Sequence, residues 1–253
     1  MKLNFKKFGS GQPLIILHGL FGSLDNWQTL AKKYGTNFTT YIVDQRNHGR
    51  SPHTDHMSYE DMARDISEFM NFHQIERANF IGHSMGGKVV QQFAVQHPNQ
   101  CLRIISADMG IREYERNHDE IFDVLLSIDL NQYSSRDLVD DALKNSIPDP
   151  VVRQFILKGL QRNGESYEWK FNVHTLFKHY DEIIKPLDID AVSEVDILFL
   201  SGDKSDYVLE DDMLDIMDVF PNAVFDYVTN AGHWLHAESP DEFFLRSNKY
   251  LIQ

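Results

Sequence analysis

The chain has 253 residues, 42% of them apolar and 12% aromatic, enough to build a sizeable core. That composition excludes disordered, collagen-like and low-complexity classes. Twenty-four Lys and Arg against 38 Asp and Glu give a net charge of −14, which argues against binding nucleic acid or an anionic membrane through a basic field. The single cysteine, Cys101, cannot form an internal disulfide and fits a reducing compartment. The basic N-terminus has no apolar stretch behind it, and no apolar run approaches the roughly 20 residues needed to span a bilayer. A cytoplasmic protein without a membrane span is expected.

Short apolar runs alternate with helix-like stretches, the pattern of a mostly parallel sheet covered on both faces. Leu14-Ile15-Ile16-Leu17 and Tyr41-Ile42-Val43 read as buried strands. A capping signal at Ser58 and Asp61 opens a helix carrying Met62, Ile66 and Phe69. Ala78-Asn79-Phe80-Ile81 is the next strand, and a helix over 89–96 ends before Pro98. Leu102-Arg103-Ile104-Ile105 is followed by a break in the alternation. Residues 111–190 read as consecutive helices, with Ile121, Phe122, Leu125 and Leu126, then Leu138 and Leu143, then Val152, Phe155, Ile156 and Leu160. They are punctuated by Pro148, Pro150 and Asn163-Gly164. Strands resume at Ile197-Leu198-Phe199-Leu200 and 223–228, and a last helix begins near Pro240. The division expected is a core of residues 1–110 and 191–253, with 111–190 inserted as a helical cap over the strand ends where ligands sit in open α/β sheets.

The chemistry starts at Gly82-His83-Ser84-Met85-Gly86. It lies between a strand and a helix, where flanking glycines permit a sharp turn and the helix N-terminus favours developing negative charge. Ser84 is the candidate nucleophile. Its base is His233, in Asn230-Ala231-Gly232-His233-Trp234, delivered by the loop after the strand ending at Val228. His236 is the nearby competitor and reads as a solvated residue at the start of the last helix. An oxyanion needs two preorganised N–H donors. Met85 supplies one, and Leu20 the other, with Phe21 next, from the turn His18-Gly19-Leu20-Phe21-Gly22. The acid that orients His233 has two candidates. Asp206 lies in the loop after Gly202, just past Ser205, and Asp108 follows the preceding strand.

The loop at 18–23, the segment Asp44-Gln45-Arg46-Asn47-His48-Gly49-Arg50-Ser51, the Ser84 turn and Ala231-Gly232-His233-Trp234 occur in an order that resembles the α/β-hydrolases, and closely the YbfF-type bacterial esterases. Trp169-Lys170-Phe171-Asn172-Val173 resembles that group too. The resemblance implies an eight-stranded, mostly parallel sheet with helices on both faces, and hydrolysis of carboxylic esters or acyl thioesters through a serine acyl-enzyme. It implies no metal or organic cofactor, and it favours Asp108 over Asp206 as the acid. Residues 44–51 read as a hydrogen-bonded turn that buttresses the active-site loops. Phe21, His83, Trp169 and Trp234 are the candidate substrate contacts, and apolar and aromatic residues of the cap point to a small-molecule substrate with an apolar acyl group. The competing readings keep the fold but change the chemistry, to C–C bond hydrolysis or perhydrolysis, or make it a ligand-binding receptor with little turnover.

Overall fold

The computed structural model describes residues 1–187 and 191–253, so Asp190, the expected end of the insertion, lies outside the described residues. The chain opens with strand β1 (Phe5–Phe8) and β2 (Gln12–Leu17), then helix α1 (Gln28–Tyr34) and β3 (Phe38–Val43). Helix α2 (Tyr59–Phe72), β4 (Ala78–His83), α3 (Met85–Gln96) and β5 (Cys101–Ala107) follow. The Ser58 hydroxyl caps α2 by accepting from the Asp61 N–H at 3.1 Å.

Between β5 and the next sheet strand lie α4 (Asp119–Ser127), α5 (Arg136–Leu143), α6 (Pro150–Leu157), β6 (Leu160–Asn163), β7 (Ser166–Trp169), α7 (Val173–Lys178) and α8 (Tyr180–Ile184). This insertion is not the run of consecutive helices expected. Leu160 begins a strand, and Gly164-Glu165, between the paired Asn163 and Ser166, makes the tight turn of an antiparallel hairpin, with Gly164 at φ 63°. The two stems of the insertion pair with each other: the Tyr114 N–H donates to the Ile184 carbonyl at 2.9 Å and the Leu187 N–H to that of Ile111 at 3.0 Å. The chain then returns through β8 (Ile197–Gly202), α9 (Asp212–Val219), β9 (Ala223–Val228), α10 (Leu235–Glu238) and α11 (Pro240–Leu251).

The sheet order is β1-β3-β2-β4-β5-β8-β9. Among the described residues of this sheet β1 alone runs antiparallel, and the other strands pair in parallel. Among the described residues the sheet has seven strands rather than the eight expected, and β6 and β7 form a separate two-stranded sheet in the insertion. Alternation along β2 sends Leu14 and Ile16 to one face, against Trp27, Leu30 and Phe243, and Ile15 and Leu17 to the other, against Ile66, Val89 and Phe93. The central strands are buried on both faces, which is why they read as continuous apolar runs. Among the described residues no helix is long and apolar enough to cross a membrane.

One close approach sets the spacing of this core. A Cβ on Gly86, in the first turn of α3, would lie 2.6 Å from the Leu17 carbonyl oxygen and 2.7 Å from that of His18. Helix propensity alone favours Gly86→Ala by about 1 kcal/mol. The clash opposes it with backbone, which cannot rotate away. Gly86→Ala is therefore expected to lower stability by about 2–4 kcal/mol in urea unfolding. A neutral or stabilised variant would remove this contact as a constraint on the fold.

Candidate active site

Strand β4 ends at His83 and α3 begins at Met85, leaving Ser84 alone to turn the chain. Its backbone sits at φ 53°, ψ −122°, a conformation costing roughly 1–3 kcal/mol for a residue with a Cβ. The turn closes because the glycines lack side chains: a Cβ on Gly82 would lie 2.0 Å from the Gly86 carbonyl oxygen. The Ser84 N–H donates to the Ala107 carbonyl at 3.1 Å, and its own carbonyl accepts from the Gly87 N–H at 2.7 Å. Although Ser84 stands at the N-cap of α3, its hydroxyl makes no capping bond.

His233 and Asp108 are brought together. The His233 Nδ1 lies 2.7 Å from the Asp108 Oδ2, and the carboxylate is fully buried. Asp108 leaves β5 at φ 52°, its N–H donating to the Leu200 carbonyl at 2.9 Å. The Gly202 N–H donates to Oδ1 at 3.2 Å, and the Ser205 hydroxyl donates to Oδ2. Asp206 is exposed, and its backbone carbonyl accepts from Arg112 Nη2 at 2.8 Å. With Nδ1–H given to Asp108, the lone pair of a neutral imidazole falls on Nε2.

The His233 loop is held from several sides. Its N–H groups at Gly232 and Trp234 donate to Glu238 at 2.8 and 3.2 Å. The His83 Nε2–H donates to the His233 carbonyl at 2.8 Å, tying this loop to the residue before Ser84. The Tyr207 ring stacks on the imidazole, centroids 3.7 Å apart and planes 20° apart. Sequence reasoning missed Tyr207, whose only signal was its place in the loop after β8. His236 is not the solvated residue expected. It is buried, stacked on Trp27 at 4.4 Å and 8°, because α10 turns it inward beneath the His233 loop.

Ser84, His233, Leu20 and Met85 line one cleft of about 290 Å³, between the strand ends and the insertion. Phe21, His83 and Trp234 line it as well, and Ile121, Val152, Phe155, Ile156 and Tyr180 come from the insertion. Trp169 is not among the lining residues. It stands on β7 and stacks on Phe171 at 5.4 Å, and Phe171 in turn packs on Phe21, so Trp169 sits behind the wall. The loop that carries Leu20 is braced by His18, whose Nδ1–H donates to the Gly19 carbonyl at 2.8 Å while Nε2 accepts from the Gln45 N–H at 3.1 Å. Residues 44–51 form the expected buttress. Asp44 accepts from the N–H groups of Leu24 at 2.7 Å and Arg50 at 2.9 Å, and Arg46 makes a two-pronged ion pair with Asp65 at 2.6 and 3.0 Å.

Burial keeps the surrounding histidines neutral. It pushes His18 down to about 4, against the opposing pull of its bond to Gly19. His48 falls to about 3, by burial and then by its neighbour His18. His236 also falls to about 3, by burial and then by His233, and His83 lies well below the ordinary imidazole range for the same two kinds of cause. Each group binds its proton more readily in the unfolded chain, so stability is full above about pH 6.5 and is lost as pH falls below it. The loss approaches about 1.4 kcal/mol per pH unit for each of His18, His48 and His236 and levels off only near their folded values of about 3–4. Total stabilities of about 5–15 kcal/mol cannot absorb that for long. The urea midpoint is expected to drop steeply between pH 6.5 and 5, and a flat profile there would rule out four neutral buried imidazoles.

The alpha/beta hydrolase fold family matches residues 12–137 of this chain. Esterase YbfF of Escherichia coli (strain K12) is 34% identical over 257 residues, covering 99% of both chains. The sn-1-specific diacylglycerol lipase ABHD11 of Danio rerio is 32% identical over 243 residues, covering 93% of this chain and 77% of the relative. A solved marine microorganism esterase, 40% identical, superposes with a TM-score of 0.96 over 98% of this chain and 99% of its own. A glycine-built turn between β4 and α3, a parallel sheet with helices on both faces and full-length likeness to these esterases agree: the chain belongs to the α/β-hydrolase family, alongside the YbfF-type bacterial esterases.

Proposed function

We propose that this chain hydrolyses carboxylic esters, and acyl thioesters by the same chemistry, through an acyl-enzyme on Ser84. The observation that carries the reading is the buried Asp108–His233 pair, with its Nε2 lone pair, on the same cleft as a serine held in a strained turn. His233 Nε2 takes the hydroxyl proton as Ser84 Oγ attacks the acyl carbon, and the carbonyl π electrons move to oxygen. The N–H groups of Met85 and Leu20 receive that oxyanion. On collapse the C–O or C–S bond to the leaving group breaks, and the imidazolium returns its proton to it. Water then repeats the sequence, with His233 as base, and releases the acid. Asp108 holds the imidazole in the Nδ1–H tautomer and stabilises the imidazolium. No metal or organic cofactor takes part in these steps.

Residues 111–190 act in this reading as a cap on a core of residues 1–110 and 191–253. The likeness to enzymes named esterase and lipase supports small-molecule esters as substrates. The buried, unpaired Cys101 supports the cytoplasm as the location. Among the described residues no lysine or arginine lines the cleft to pair an anionic acyl group, while Glu115 does line it, and the apolar roof favours a neutral one.

Ser84→Ala is expected to cut turnover of an activated ester by roughly 10⁶-fold and to abolish labelling by a fluorophosphonate. Asp108→Asn should cost about 10⁴-fold while Asp206→Asn leaves turnover nearly unchanged. Labelling at another residue, or the reverse order of the two aspartates, would overturn the assignment. Glu115→Lys should raise kcat/KM for a carboxylate-bearing acyl ester by about tenfold relative to its neutral counterpart. An unchanged ratio would show that the cleft's charge does not choose the acyl group.

A further inference from the structure

Lys88 lies one helical turn beyond Ser84 on α3, and its side chain is fully buried. Among the described residues no carboxylate stands within ion-pair distance of it. Its ammonium is surrounded by backbone carbonyls instead. Nζ donates to the Arg112 carbonyl at 2.9 Å, to that of Ile184 at 3.4 Å and to that of Lys185. The rings of Tyr114 and Tyr59 lie 5.0 and 5.7 Å away.

Those carbonyls belong to both stems of the insertion. Arg112 is on the outgoing stem, and Ile184 and Lys185 are on the returning one. The stems are hydrogen-bonded to each other, but one side chain from the core helix joins both to the turn that carries the nucleophile. The Tyr59 hydroxyl adds a bond to the adjacent Ile183 carbonyl at 2.6 Å. Tyr59, Tyr114, Ile183 and Ile184 all line the cleft, so the ammonium sits directly behind the cleft wall.

We propose that Lys88 is a positioning residue that pins both stems of the insertion to the Ser84 helix, and so fixes how close the roof lies to the nucleophile and how long an acyl chain the cleft accepts. The second half of this statement rests on the ester reading above; the first does not. An ammonium in this place is held at a cost, since desolvation pushes it down to about 7 despite the carbonyls around it. Were Lys88 only filling space, methionine, an apolar residue of similar volume, would leave stem exchange and acyl selectivity as they are. The pinning role predicts a change in both, because the Arg112 and Lys185 carbonyls lose their donor.

Lys88→Met separates the two. Amide hydrogen exchange at residues 111–114 and 183–187 should become about tenfold faster, beyond any change in the core strands of the same folded protein. With p-nitrophenyl acetate, kcat should stay within about threefold of the parent, while the decanoate-to-acetate ratio of kcat/KM rises about tenfold through KM. Lys88→Gln, which keeps two donors, should fall between, and it carries the same two measurements if Lys88→Met does not fold. Unchanged exchange in both stems overturns the proposal, as does an equal change for the two esters. If the parent turns over neither ester, the ester reading fails, and the exchange comparison still decides whether Lys88 pins the stems.

Discussion

A serine at a helix N-cap ordinarily turns its hydroxyl back onto the free N–H groups of the first turn, where it is a good cap and an unavailable nucleophile. At Ser84 the backbone is forced to φ 53°, ψ −122°, and the capping bond is absent. The strain is held by contacts that tolerate no side chain, Gly82 against Gly86 and Gly86 against the end of β2. Most of the site follows from that turn. It leaves the hydroxyl and the first-turn amides of α3 at the cleft, and it seats Ser84 against β5 through the Ala107 carbonyl. It also brings His83 under the His233 loop.

Strain of this kind is not confined to one residue. Among the described residues six non-glycines have positive φ, and five of them follow the C-terminal end of a strand: Phe21, Asn47, Ser84, Asp108 and Asn230. Each turns the chain sharply where a parallel strand must leave the sheet. The effect is to crowd side chains from β2, β4, β5 and β9 around one cleft. Asn47 serves the same end at one remove, since its carbonyl accepts from the Asn172 N–H of the insertion at 2.9 Å. The cost is carried by the parallel core beneath, whose residues are nearly all fully buried.

What could be read in the sequence tracks what is buried on both faces. The five central strands announced themselves as apolar runs because parallel strands under two helical layers have no polar side. Strand β1 did not, because Phe5-Lys6-Lys7-Phe8 is an edge strand whose lysines face water. The hairpin of the insertion was hidden for a related reason. Its strands are four residues each and half-exposed, and Asn163-Gly164 was read as a break between helices when it opens a hairpin turn. Ser84, His233 and the two loops were legible from glycine spacing and order along the chain. Tyr207, His236 and Trp169 were not, since stacking partners are set by how loops cross in space, and no local pattern encodes that.

The candidate acid, Asp108, shows how far two distant sequence positions can converge. Reading forward from Gly202, Ser205 comes just before Asp206, and the residues alone left Asp108 and Asp206 open. Strands β5 and β8 are neighbours, with Ala107 opposite Leu200. A side chain leaving just past Ala107 therefore arrives at the same point as one leaving the loop just past Gly202. Ser205 then has a use that a carboxylate there would exclude: its hydroxyl donates to the Asp108 Oδ2 that also faces His233, and the Gly202 N–H satisfies the other oxygen. A second carboxylate in that space would repel the first and drive one of them to hold a proton. Serine at 205 and aspartate at 108 are in this sense one choice, made across a pair of adjacent parallel strands.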